Sequence, residues 1–404
     1  MSIESAVSAL GDDALGEEEI AQHIAPLFSR VLAPGRIYLA NHSLGRPLDR
    51  MADDVAEAAA LWYGKLADAW NDWLAEREAF RKRIAQLIGA ERPDCIVPRT
   101  SAGQGLRAVL NALPGKPRVV STRGEFDAVD LILKQYAALG RIEVRWVEPD
   151  AQSEFSASAL MREVERGSDL VVVSLAMFMT GQLVGWLDRL AEACHAQGTR
   201  LLVDLYHAVG VVPVDVHAMG ADFAIGGSYK YLRGGPGAGY LYLSPEVMDR
   251  GGLRPLDTGW FANEDMFRFQ RPEPPALKAG GDAFLEGTPA VLTWYQARSG
   301  AEFALAMGVA RLREYSLGQL RALRSYLAEA GVEQQVTGGD ERHGAFLSIR
   351  LKHAMAVPEK MQQRGVTCDA RGEWLRLCPD CLTRDGELRR AARALGDVLA
   401  ETPA

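Results

Sequence analysis

Cysteine is scarce, with five in 404 residues. Five thiols make no disulfide framework, and a chain of this length can bury a core without one. Lysine and arginine form no long block. Together they number 45 against 53 Asp plus Glu, a formal net charge of -8, which argues against nucleic acid or an anionic membrane as the main partner. Long apolar runs are missing too. The longest, around Leu170 to Met179, is too short to span a bilayer and carries Ser174. The opening residues hold Glu4, Asp12, Asp13 and Glu17 to Glu19, without the basic start and apolar centre of a signal peptide, so a cytoplasmic protein is expected. No repeat, low-complexity block or clear linker divides the chain. Hydrophobic residues at 48% and charged residues at 24% exclude wholesale disorder.

The order of elements is legible from periodicity. From Asp49 to Gly89 apolar residues recur at three- and four-residue spacings, a helical pattern. Short apolar runs follow at Cys95–Pro98, Arg118–Ser121, Ile142–Val147, Leu170–Leu175 and Arg200–Leu205. Helical stretches alternate with them at about 103–113, 128–139, 157–166 and 187–197. That alternation predicts an α/β domain with a mostly parallel sheet covered on both faces. After Gly239 the texture changes, with an irregular Pro/Gly-rich stretch to Pro289 and a long helical pattern from Val291 to Ala330. The tail then reads as a smaller α+β unit. The expected units are an N-terminal segment 1–48 packing with the small domain, a large domain 49–290 and a small C-terminal domain 291–404.

The chemistry concentrates after the last parallel strand. Asp204 ends that strand, at the sheet edge where open α/β folds bind ligands. His207 follows three residues later. Lys230 lies 26 residues on, flanked by Tyr229 and Tyr231, ahead of the glycine-rich run Gly234-Gly235-Pro236-Gly237-Ala238-Gly239. Pyridoxal phosphate chemistry needs this set: a lysine to hold the aldehyde as a Schiff base, and a carboxylate to keep the pyridine nitrogen protonated. Glycines beside the lysine let backbone approach closely. Thr100-Ser101 opens a helix and suits a phosphate or, equally, a plain cap. On the residues alone His207 also reads as a satisfied buried histidine, Phe126 as a core aromatic and Arg376 as a surface arginine. Metal binding has no ligand spacing to support it, and Cys378-Pro379-Asp380-Cys381 is a CxxC without a second pair.

Taken in order, these segments resemble the fold-type I, class V pyridoxal phosphate enzymes, and within them the kynureninases. Asp204…His207…Ser228-Tyr229-Lys230-Tyr231-Leu232…Gly234-Gly235-Pro236-Gly237-Ala238 is similar to the kynureninase D-x-x-H…SYKYLNGGPGA block. Ile37-Tyr38-Leu39…Ser43-Leu44-Gly45 resembles IYLDGNSLG, and Arg123-Gly124-Glu125-Phe126 resembles R-G-N-F. Gly259-Trp260-Phe261 and Gly287-Thr288-Pro289 resemble GWFG and GTPP, and Leu375-Arg376-Leu377 falls at the carboxylate-binding arginine.

The resemblance implies a fold-type I transferase fold, pyridoxal 5'-phosphate as cofactor, and hydrolytic Cβ–Cγ cleavage of a kynurenine-type amino acid to L-alanine and an anthranilate. The alternative is an aminotransferase, racemase, lyase or desulfurase on the same scaffold. It implies Lys230, Tyr229 and Asp204 as catalytic residues. The cofactor would lie among Thr100, Ser101, Phe126, His207, Trp260 and Thr288, the last two reaching across a homodimer. Substrate would meet Arg376, His42 and Ser43. The chain departs from the pattern at His42 and Arg233, each in place of Asn, and at Cys378 to Thr383 in place of F-T-P-L-Y.

Overall fold

The structure is a computed structural model and describes residues 1–401 other than 12, 33, 34, 250, 267 and 269. The last residues of the expected 291–404 unit, 402–404, therefore lie outside the described residues.

A seven-stranded sheet occupies the middle of the chain. In chain order its strands are β2 (Ile96–Arg99), β3 (Arg118–Thr122), β4 (Glu143–Val147), β5 (Leu170–Ser174), β6 (Arg200–Asp204), β7 (Phe223–Gly227) and β8 (Gly239–Leu243), after a short β1 (Ile37–Tyr38) that lies outside it. The spatial order is β2-β8-β7-β6-β5-β3-β4. Neighbours from β7 to β4 pair in parallel, while β8 runs antiparallel to β7 and to β2. The sheet is thus mostly parallel, as its Val/Leu-rich strands predict. β7 and β8 are additions, since glycines in Phe223–Gly227 and an aromatic-rich Gly239–Leu243 mask their strand character.

Alternate residues feed two cores, as period-two geometry demands. Val171, Val173, Leu201, Val203 and Ala224 pack on one face. Leu170, Val172, Leu202, Phe223 and Ile225 pack on the other. Each such fully buried side chain contributes about 1.5–3 kcal/mol relative to exposure. Helices Ala102–Ala112, Asp127–Ala138, Ala157–Glu165 and Leu187–Ala196 supply the cover, each within two residues of its expected span.

The helical pattern of 291–330 is two helices, Val291–Met307 and Val309–Glu329, broken at Gly308 (φ +78°). The pattern of 49–89 is also split, into Arg50–Lys65 and Ala69–Ile88, at Leu66 (φ +50°). A second sheet follows, built from β9 (Val336–Thr337), β10 (Leu347–Arg350), β12 (Asp369–Arg371) and β13 (Trp374–Leu377) in the order β12-β13-β10-β9, all antiparallel. β11 (Val366–Thr367) pairs in parallel with β1, and Ala40 bridges to Cys378. The N-terminal segment is thereby stitched to the C-terminal sheet, where Arg376 stands. No helix among the described residues is long and apolar enough to cross a membrane.

Candidate active site

The carboxyl ends of β6 and β7 face each other's loops, and this places Asp204 near Lys230. Asp204 closes β6, buried, with one carboxylate oxygen accepting from the Tyr206 amide at 2.8 Å. Lys230 sits in the tight turn after β7, where the Arg233 amide donates to its carbonyl and the Gly234 amide to that of Ser228. Its Nζ lies 2.5 Å from His207 Nε2. Three rings surround it, with centres 5.5 Å (Phe126), 5.6 Å (Tyr229) and 5.8 Å (Tyr206) away.

These groups are dry, and their acidities follow. Burial pushes the Lys230 ammonium down toward neutrality; Asp204 opposes that shift and Arg376 adds to it. Burial pushes Asp204 up, against the Tyr206 amide and Lys230. His207 is held well below its ordinary value by burial first, then by Lys230 and Arg376. Tyr229 is raised to about 12 by burial and by Asp204.

A second group lies beside the first. Arg376 on β13 grips Asp369 on β12 through Nε (2.9 Å) and Nη2 (2.6 Å), and its Nη1 donates to the Phe178 carbonyl at 2.6 Å. His42 Nε2 meets the same Asp369 carboxylate at 2.8 Å. The His42 ring lies 6.4 Å from that of His207, nearly parallel. Burial and Arg376 lower His42 to about 4. Burial raises Asp369, but His42 and Arg376 outweigh it and hold the carboxyl well below the carboxylate range. Ser43 is half-buried; its amide donates to the Ala40 carbonyl in the same turn. Gly45 then presses on the lysine turn, its amide donating to the Tyr229 carbonyl, and a Cβ there would stand 1.9 Å from the Lys230 carbonyl oxygen.

At the far side of Tyr206, Ser101 caps helix Ala102–Ala112 by accepting from the Gln104 amide, and Thr100 bonds the Gln104 side chain. The Ala102 amide reaches the Tyr206 hydroxyl, so one tyrosine separates the helix opening from the lysine. Thr100 and Thr288 line one cavity of about 220 Å³ together with Gln104 and Gly237. Trp260 is 42% exposed, and its indole donates to the Met266 carbonyl. Lys230, Asp204, His207, Phe126, Tyr229, Arg376 and His42 thus come together, whereas Trp260 and Thr288 sit on the irregular stretch, Thr288 beside Thr100.

Several contributors carried no readable signal. Asp369 was visible only as an acid seven residues before Arg376. Glu125 is buried, takes hydroxyls from Thr122 and Ser174 at 2.6 Å each, and is raised to about 7 by burial. Arg233, one of the departures from the family pattern, spans Asp380 (2.7 Å) and the rings of Phe28 and Phe303; Arg46 pairs with the same Asp380. Cys378 is buried, its thiol raised to about 12 by burial, and Cys381 to about 11.

Residues 48–373 match the model of the aminotransferase class-V family. The chain belongs to that family. Among curated relatives, the class-V chain is 27% identical to a kynureninase of Deinococcus radiodurans, covering 90% of each. It is 29% identical to a kynureninase of Pseudomonas fluorescens over 86% of this chain and 85% of that one. It is 26% identical to the uncharacterized aminotransferase YcbU of Bacillus subtilis over 87% and 92%. Among solved structures, a C-DES mutant with glycine covalently linked to its pyridoxal phosphate cofactor superposes with TM-score 0.83 at 16% identity, covering 92% and 98%. A cysteine desulfurase from Thermococcus onnurineus gives 0.78 at 18%, covering 91% and 95%. These likenesses establish a fold-type I architecture.

The family's cofactor is pyridoxal 5'-phosphate, and the class-V chain is an enzyme of that kind. The residues present fit the group. Lys230 is an amine driven toward its nucleophilic neutral form, Asp204 is an acid facing that lysine, and among the described residues His207 Nδ1 is buried without a partner. A helix opening with Thr100 and Ser101 lies one ring away.

Proposed function

We propose that this class-V enzyme cleaves the Cβ–Cγ bond of a kynurenine-type amino acid by hydrolysis, giving L-alanine and an anthranilate. One observation carries the reading: a buried lysine beside Asp204 and His207, with a buried arginine, Arg376, on the adjoining sheet. Kynureninase relatives spanning nearly the whole chain support it.

When bound, pyridoxal phosphate supplies an electron sink for charge developing at the substrate's α-carbon. Asp204 would hold the pyridine nitrogen protonated, and Phe126 and His207 would help to hold the ring. Thr100, Ser101 and the amides behind them take the phosphate, and Trp260 and Thr288 of a second copy complete that end. Lys230 would hold the aldehyde, and its amine is the base that would move the proton at the α-carbon. Arg376 holds the α-carboxylate, with His42 and Ser43 lining the substrate. Tyr229 relays a proton to the γ-carbonyl region as water adds. The desulfurase alternative needs an exposed, acidic thiol, whereas all five cysteines are buried.

The test is product analysis by chromatography and mass spectrometry after incubation with L-kynurenine or its 3-hydroxy form. Alanine and an anthranilate, formed without any keto acid, are the expected products. Turnover only when a keto acid is supplied, with no anthranilate released, would show a transaminase instead.

A further inference from the structure

Arg376 has five N–H donors, and three are already spent inside the protein. Nε and one Nη2 hydrogen go to Asp369, and one Nη1 hydrogen goes to the Phe178 carbonyl. One hydrogen on each Nη remains, and the end fork that these two nitrogens make is the geometry that takes a carboxylate with two bonds. His42 is tied to the same Asp369. Asp369 is ionised and can only accept, so His42 Nε2 carries the hydrogen and donates it. A neutral imidazole then has a bare lone pair on Nδ1. His42 is fully buried, and Nδ1 has no hydrogen-bond partner. A buried acceptor left unpaired costs free energy, and a ligand that brings a donor recovers it.

We propose, resting on the kynurenine-type reading above, that His42 Nδ1 selects the substrate's side chain by accepting from an N–H or O–H that it carries. The α-carboxylate lies on the end fork of Arg376, and Asp369 joins the two residues, so one carboxylate of the protein sets both contacts. The substrate class is an amino acid whose side chain ends in a hydrogen-bond donor, such as an aromatic ring with an amine beside its ketone. A side chain offering only acceptors, such as a carboxylate or sulfinate, meets the lone pair with nothing to give and is rejected.

The experiment titrates the visible absorbance of the holoenzyme with L-kynurenine and with β-benzoyl-L-alanine, which lacks the ring amine. Wild type should bind kynurenine about 10- to 100-fold more tightly. His42→Phe keeps a ring in the stack but removes the lone pair, and should bring the two within about threefold. His42→Asn should restore part of the difference. Equal affinities in wild type overturn the proposal whether or not His42→Phe folds, and so does an unchanged ratio in a folded His42→Phe. The two claims separate cleanly. If wild type shows the ratio and His42→Phe abolishes it, but neither compound is cleaved, the hydrolase reading fails and the role of His42 stands. If it cleaves kynurenine with a ratio that ignores His42, the reverse holds. If neither compound perturbs the absorbance, both fall.

Discussion

Lys230 and Asp204 change each other before any ligand arrives. Each is driven by burial toward its uncharged form, and each is the other's partial remedy. A buried carboxylate of this kind is a functional expense for the fold, so Asp204→Asn should leave the melting temperature level or raise it. Turnover should fall by roughly 10²-fold or more, as expected when a preorganised charge is lost from the reacting centre. Near-wild-type turnover would remove Asp204 from the cofactor nitrogen.

Glu125 makes a pH prediction. Its folded value, about 7, stands above the ordinary glutamate value near 4.3. The protonated form therefore stabilises the fold fully below about pH 4, and that contribution drains away as pH rises through 7. Glu125→Gln keeps a neutral side chain at every pH. Its urea midpoint should gain on wild type between pH 5 and pH 8, and a parallel pair of curves would contradict the account. The proximity of Lys230 and Asp204 was legible in the sequence because an ordered motif carries them, whereas Arg376 stood out only through the family resemblance. Glu125 and Asp369 were not legible, because a lone acid shows its role only once burial and partners are known.

Among the elements, the valine-rich strands were readable because residues buried on both faces leave continuous apolar runs. β7 and β8 escaped notice because Gly226, Gly227 and Gly239 dilute the pattern while making room for Tyr206, Tyr240 and the backbone of β2. Gly308 was read through because a single glycine is tolerated within a helical pattern, and its positive φ shows only in three dimensions. Gly45 makes the sharpest prediction at this scale. Alanine there would collide with the Lys230 carbonyl, so the turn must yield. Gly45→Ala should cost about 1–3 kcal/mol by chemical denaturation and weaken cofactor retention on gel filtration. Full stability with full retention would show that the turn is not held against the lysine.

At the scale of the molecule, Asp380 binds three parts of the chain. It receives Arg46 from the N-terminal segment and Arg233 from the lysine loop, while its own turn follows β13. Removing one member of a buried ionic cluster leaves the others uncompensated, so Asp380→Ala should destabilise by about 3–5 kcal/mol, read from denaturant midpoints. Arg233 and Asp380 stood in the sequence as departures from the family pattern; folding makes them a joint between the N-terminal segment and the sheets.

The dimer is proposed on the family resemblance of the segments that carry Trp260 and Thr288. Mixing Lys230→Ala with a Trp260→Ala, Thr288→Ala double variant should regenerate one complete site per heterodimer. A monomer by light scattering, or no recovery after verified subunit exchange, would contradict that arrangement.

The central claim is that the edge of β6 and β7 holds pyridoxal phosphate on Lys230. Borohydride reduction of the yellow holoenzyme, followed by peptide mapping, tests it most directly. The account predicts a pyridoxyl group on Lys230 alone and none in Lys230→Ala; a tag on any other lysine would contradict it.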